Sequence, residues 1–301
     1  MMTARLVGRL SIAFILDFIE MGRGDRPLID GLLLVAVVQA NVMQAVREPE
    51  LQRAHGPYEA PLPDELRRPV SVSAIANSLR LPYETVRRRI GQLAREGLCV
   101  VTPAGVYVPQ QALSSPAHMA GAFAAYERLR AFYYRLRDLD VLPEFPAQAE
   151  PAEPDVLVRA ILQLFADYFL RTVDAVTQNV DDLVGGLVLL GIFRANTEHI
   201  PDTEQGGEEP GQHVPVSLRR PVSATALADR LRLPRETVRR HVARLLADGR
   251  CERAPGGLVI TPRPLWLPVV GENQAHLRRM FAGLAQLGVL SAWDEARPPP
   301  G

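Results

Sequence analysis

The side chains in this chain best suited to acting on a partner are charged ones, and they occur twice in nearly the same order. "YETVRRR" occupies residues 83–89 and "RETVRRH" residues 235–241. Arg is permanently charged, and its planar fork makes paired hydrogen bonds to guanine O6/N7 or to a phosphate. Glu accepts from cytosine N4. Such a set recognises rather than makes or breaks bonds. The candidates for contact with double-stranded DNA are Tyr83, Glu84, Thr85, Arg87, Arg88 and Arg89, and their counterparts Arg235, Glu236, Thr237, Arg239, Arg240 and His241. Catalytic chemistry finds less support. His55, His118, His199, His213, His241 and His276 are scattered, with no metal-ligand spacing to Cys99 or Cys251. No glycine-rich phosphate loop or nucleophile elbow is present. The expectation is a protein that is not an enzyme and takes no metal or cofactor.

A helix must carry each set. At 100° per residue Val86, Ile90 and Leu93 fall on one face, as do Val238, Val242 and Leu245. Glu84 and Arg88 point the other way and have the spacing of an i,i+4 ion pair, with Arg87 and Arg95 beside them. Pro82 suits the first helical position, and Gly97 suits the end. A short helix precedes, capped by Ser71 or Ser73 and apolar at Ala74, Ile75 and Leu79. "LCVVTPAGVYVP" and "RCERAPGGLVIT" follow, each with two β-rich runs around a Pro/Gly turn. Val70 or Val222 lies where a third strand would join. Three helices and a hairpin predict a winged helix-turn-helix.

The repeat extends beyond these motifs. A shift of 152 aligns residues 66–109 with 218–261 without a gap, with 22 of 44 positions identical. Fainter matches flank it. "DGLLLVAVVQAN" resembles "GGLVLLGIFRAN", "RLSIAFILDF" resembles "RAILQLFADY", and "LRAFYYRLRDLDVL" resembles "LRRMFAGLAQLGVL". The predicted organisation is a first unit over 1–142 with its winged helix at 66–110, and a Pro/Ala/Glu-rich linker over 143–154. A second unit then covers 155–292 with its winged helix at 218–265, before a tail over 293–301. The fold class expected is mainly α with small β-wings, with flanking helices forming a pseudo-two-fold helical core.

Charge is distributed unevenly. The 301 residues carry 34 bases, all of them Arg, against 34 acids. Residues 66–110 hold seven Arg against two acids, and residues 218–265 hold eleven against four. The excess of positive charge therefore sits in the two repeated modules, as a nucleic-acid footprint would have it. Cys99 and Cys251 occupy equivalent places and read as buried small apolar residues, which fits a cytoplasmic location. "RLVGRLSIAFIL" is short, is soon followed by Asp17 and Glu20, and lacks a cleavage site, so no signal peptide is expected. The apolar runs at 31–38 and 183–193 are well below the roughly 20 residues of a membrane span.

"PRETVRRHVARL" resembles the recognition helix of Crp/Fnr-type bacterial regulators. That resemblance implies base contacts by Arg235, Glu236 and Arg240 and a phosphate contact by Thr237. In the first copy it implies Glu84, Arg88 and Thr85, with Tyr83 replacing the leading Arg. It covers about 20 residues per copy, and no segment resembles a cyclic-nucleotide domain. The order of leading helix, winged helix and long closing helix is similar to the MarR family, whose homodimers the chain would imitate as a fused pseudo-dimer. The characteristic MarR wing sequence is absent, and the long loops before each module depart from that pattern.

The function expected is sequence-specific binding of double-stranded DNA by a transcriptional regulator, as a monomeric pseudo-dimer or a homodimer. The two half-sites would form an imperfect palindrome about one helical turn apart. A tandem winged-helix interaction scaffold and a plasmid-type replication initiator are the alternatives. Phe14, Phe18, Phe132 and Tyr133 are either core or the lining of a site for a small apolar effector.

Overall fold

The computed structural model describes residues 4–23, 26–43, 45, 48–57, 60–145, 153, 157–180, 182–202, 216–261 and 266–297. Most of the expected linker, the acidic stretch at 206–213 and parts of both long loops lie outside them. The described chain is mainly helical, with two small antiparallel sheets of two strands each. The elements run α1 (Ala4–Arg23), α2 (Leu28–Val42), α3 (Pro49–His55), α4 (Val72–Ser78), α5 (Tyr83–Arg95), β1 (Val100–Thr102), β2 (Gly105–Tyr107), α6 (Gln110–Leu113) and α7 (Pro116–Asp138). They continue with α8 (Val158–Val180), α9 (Leu183–Thr197), α10 (Ala224–Leu231), α11 (Arg235–Ala247), β3 (Cys251–Ala254), β4 (Gly257–Ile260), α12 (Trp266–Gln286) and α13 (Val289–Glu295).

By compactness the chain forms two units. One gathers Met21–Tyr134, Glu144–Arg171 and His276–Gly301 and holds the first repeated module. The other gathers Met1–Glu20, Arg135–Pro143 and Thr172–Ala275 and holds the second. Each unit draws on segments from both sides of the expected linker.

The local chemistry of the two modules is the same. Ser71 Oγ accepts from Ala74 N at 3.1 Å and Ser223 Oγ from Ala226 N at 3.1 Å, which satisfies a free N–H at the start of α4 and of α10. Ile75, Ala76 and Leu79 are the buried side of α4, whereas Ala74 is exposed. Arg80 and Arg232 take left-handed φ values of 51° and 48° to turn the chain. Pro82 and Pro234 stand just outside α5 and α11 rather than at their first residue, with extended ψ values of 130° and 133°. Their carbonyls accept the first helical bonds, from Val86 N and Val238 N. Val86, Ile90 and Leu93 are buried, as are Val238, Val242 and Leu245, so the 3.6-residue period places the apolar face as expected. Gly97 and Gly249, both at positive φ, end the helices.

Val70 and Val222 do not extend into full strands. Each makes one antiparallel bridge, to Val106 and to Leu258. The bridge brings the backbone so close to the hairpin that a Cβ on Gly105 would lie 2.6 Å from Val70 O, and one on Gly257 would collide with Val222 O. Glycine at these two positions is therefore a steric requirement.

A buried asparagine joins hairpin, bridge and helix in each module. Asn41, near the end of α2, donates from Nδ2 to Arg68 O at 2.7 Å and to Val106 O at 3.1 Å, and its Oδ1 accepts from Val108 N at 3.0 Å. Asn196, near the end of α9, donates to Arg220 O at 2.8 Å and to Leu258 O at 3.1 Å, and accepts from Ile260 N at 2.8 Å. The backbone carbonyls of both asparagines also accept, from Arg68 N and from Arg220 N. The flanking repeat is visible further on. Asp140 after α7 and Gly288 after α12 both take positive φ, and Val141, Leu142, Val289 and Leu290 are all buried beyond them.

Trp293, expected to open the C-terminal tail, is 1% exposed within α13. Its Nε1 donates to Tyr126 Oη at 3.2 Å, and Tyr133 Oη donates to Asp294 at 3.0 Å. The Tyr133 ring lies 5.6 Å from that of Phe281 and 5.5 Å from that of Trp293. Tyr133 and Phe132 are buried in this unit, and Phe14 is buried in the other.

Asn41→Ala and Asn196→Ala each strand a buried N–H and two carbonyls. Each is expected to lower unfolding free energy by about 3 kcal/mol in denaturant titration, far beyond the ~0.5 kcal/mol of a surface substitution.

Candidate nucleic-acid interface

The amphipathic period of α5 and α11 turns their polar side outward. Tyr83, Glu84, Arg87 and Arg88 are exposed on α5, and Arg235, Glu236, Arg239 and Arg240 on α11. Thr85 and Thr237 are half-buried in the first turn of each helix. The structure brings together eight of the twelve candidates as two exposed rows of four.

Within each row the acid pairs with the Arg three residues on, not the one four residues on. Glu84 Oε2 accepts from Arg87 Nε at 3.0 Å and Nη2 at 2.7 Å. Glu236 accepts from Arg239 Nε at 2.7 Å and Nη2 at 2.6 Å. The expected Glu84–Arg88 pair does not form, because the fork of Arg87 engages the carboxylate with two donors at once. The hydrogen bond from Arg239 holds the Glu236 carboxyl below the usual range, and the same contact raises Arg239. Both partners are well exposed, so the pair orients side chains more than it stabilises the fold. Arg88 and Arg240 are left. Among the described residues neither makes an ion pair or hydrogen bond.

Positions 89 and 241 belong elsewhere. Arg89 reaches inward, with Nη1 3.6 Å from Asp30 Oδ2, and its side chain is 24% exposed. His241 is 6% exposed, and its Nδ1 lies 2.7 Å from Asp182 Oδ2. Neither side chain joins the exposed row, and His241 is corrected from candidate contact to buried support. At 100° per residue both sit beside the apolar stripe, close enough to be drawn to an acid at the start of the supporting helix. Asp182 also caps α9, accepting from Val184 N and Gly185 N at 3.2 Å each.

These acids, like Asn41 and Asn196, were not singled out from sequence. A signal existed: the acid precedes its basic partner by 59 residues in both copies. The apolar stretches of α2 and α9 match best at an offset of 155, however, whereas Asp30 and Asp182 keep the offset of 152. A comparison of apolar pattern alone passes over them.

Burial pushes the thiols of Cys99 and Cys251 up to about 11, which disfavours the thiolate. Among the described residues no group of three or more His, Cys, Asp or Glu is arranged to hold a metal ion. No single described helix is long and apolar enough to cross a membrane.

No family model, curated protein or solved structure matches this chain.

Burial lowers the pKa of His241, and Arg240 and Arg244 act in the same direction, while Asp182 opposes them. The folded value lies below that of the unfolded chain, so on acidification the unfolded state takes up this proton first. The contribution is fully present above about pH 6.5 and is lost as pH falls toward the folded value. Stability measured in denaturant is expected to drop between pH 7.5 and 5.5, by no more than about 1.4 kcal/mol per pH unit from this group. His241→Gln, which keeps a donor toward Asp182, is expected to flatten that part of the profile.

Proposed function

We propose that this chain is a sequence-specific transcriptional regulator of double-stranded DNA, built as a tandem duplication of a winged helix-turn-helix. In this reading α4 with α5 and α10 with α11 are the helix-turn-helix pairs, and the hairpins β1–β2 and β3–β4 are the wings. α5 and α11 are the recognition helices, and two readers on one chain address two half-sites. The protein needs no cofactor for this and performs no bond chemistry.

The observation that carries the reading is the pair of matching exposed rows. Each has a glutamate held in place by a bidentate Arg and, next to it, an Arg that makes no ion pair or hydrogen bond among the described residues. A solvated helix face lowers its energy by pairing its charges. Here Arg88 and its counterpart Arg240 make no ion pair or hydrogen bond among the described residues, although the chain as a whole has as many acids as bases. An arginine in that state can form a bidentate contact to guanine or neutralise a phosphate. Backbone conformation at Arg80 and Arg232 is a separate observation. Both copies keep an arginine at a left-handed turn position where glycine is better tolerated, at a cost of roughly 1 kcal/mol each.

The test is the double variant Arg88→Ala, Arg240→Ala in the full chain. Its binding site is first selected from a random duplex library with the unaltered protein, and affinity is then read by fluorescence anisotropy. Two lost base or phosphate contacts at about 1–3 kcal/mol each predict a fall of at least about 30-fold, with unchanged thermal stability. Unchanged affinity for the selected site would overturn the assignment of these helices. The absence of any salt-dependent duplex binding would favour a protein-interaction scaffold instead.

A further inference from the structure

The two modules share a backbone design, yet their outward faces differ at the start of the recognition helix and on the hairpin. Position 83 is Tyr and its counterpart 235 is Arg. Position 101 is Val and its counterpart 253 is Arg. Both pairs are exposed, with Tyr83 at 48% and Val101 at 53%. The strand register makes the second pair a direct substitution, since Val101 stands opposite Val106 and Arg253 opposite Leu258. Arg253 makes no ion pair among the described residues. Arg235 lies 3.7 Å from Asp229, but both side chains are more than 60% exposed, and such a pair is weak enough to be exchanged for another partner. Three differences run the other way: Asn77 against Asp229, Val100 against Glu252, and Arg95 against Ala247. Glu252 precedes Arg253 on its strand and so points to the opposite face, and Arg95 falls in the last turn of the helix, three turns from the end that carries Tyr83 and Arg235.

We propose, resting on the DNA reading above, that the two readers are unequal. The second grips the phosphate backbone with its wing through Arg253 and takes guanine at the base facing Arg235. The first has an uncharged wing and takes thymine at the base facing Tyr83. The chemistry follows from the side chains. Arg235 can fork onto guanine O6 and N7. Tyr83 cannot, but its half-exposed ring offers an apolar surface, and the thymine methyl is the apolar group on the major-groove edge. A phosphate beside position 253 meets a cation, whereas one beside position 101 meets two methyl groups.

The experiment has two arms, both with the full-length chain. In the first, selection from a random duplex library is expected to yield two half-sites alike except at one position, guanine in one and thymine in the other. Arg235→Tyr should convert that guanine to thymine, and Tyr83→Arg should convert the thymine to guanine. In the second, affinity for a mixed-sequence duplex of about 40 base pairs is measured against salt. Arg253→Val should reduce the slope of log K on log salt by about 0.9, and Val101→Arg should steepen it by about the same amount. All four positions are exposed, and circular dichroism checks that each variant folds as the parent does. Half-sites that stay identical, with slopes unmoved by either wing substitution, would overturn the asymmetry while leaving DNA binding intact. A parent chain that enriches no sequence and binds the mixed duplex with no salt dependence would overturn the DNA reading and this inference with it.

Discussion

The structure depends first on a buried side-chain amide. The hairpin of each module is only three or four residues per strand, far too short to be stable alone. Asn41 and Asn196 bind it to the supporting helix by matching the hydrogen-bond pattern of an extended backbone, two donors to carbonyls and one acceptor for an N–H. Burying an amide is unfavourable unless all its groups are paired, and here both ends are used. The result is directional in a way that apolar packing is not. A shift of the hairpin by one residue would break all three bonds at once. The close approach of Gly105 to Val70 and of Gly257 to Val222 has the same effect, since no other residue fits at that register.

With the scaffold specified from inside, the helix that carries the exposed row is oriented by two further devices. Its apolar stripe packs inward, and at its edge position 89 or 241 is tied to an acid on the supporting helix. The two copies solve that tie differently. Arg89 with Asp30 is a pair of ions, and desolvation raises the pKa of Asp30 in spite of its partner. His241 with Asp182 replaces the second ion by a neutral ring whose N–H donates to the carboxylate, with less charge to desolvate. The apolar helix around Asp182 has moved by three residues relative to its counterpart, about one turn, and the acid has kept its place on the module. The contact has been retained while the sequence around it slid, which marks it as a constraint on the orientation of α11.

Sequence made some of this legible and concealed the rest for identifiable reasons. The stripe of Val86, Ile90 and Leu93, the caps at Ser71 and Ser223 and the terminal glycines were readable because each depends on residues within a few positions of one another. The partners of Arg89 and His241 were not, since an ion pair across 59 residues leaves no periodic trace. For the same reason His241 looked like part of the exposed row: its place on the helical wheel is at the boundary, and the acid across from it decides the side. The Glu84–Arg87 pair was misread for a subtler reason. Both i,i+3 and i,i+4 spacings bring side chains together, and the choice between them rests on which fork reaches the carboxylate with two donors. Trp293 was assigned to a tail because nothing near it repeats; its burial comes from Tyr126 and Tyr133, far back in the chain.

The division of labour between inside and outside explains how a duplicated module diverges. Substitutions on the inner face act on several contacts together, so Asn41 and Asn196, Cys99 and Cys251, and the paired glycines are retained in both copies. Substitutions at exposed positions such as 83 and 235, or 101 and 253, touch no shared partner and are nearly independent of one another. A homodimer has no such freedom, because each change appears twice. On a single chain the outward face of one module can gain arginine while the other keeps an aromatic or aliphatic residue, and neither change disturbs the amide that holds each hairpin in register.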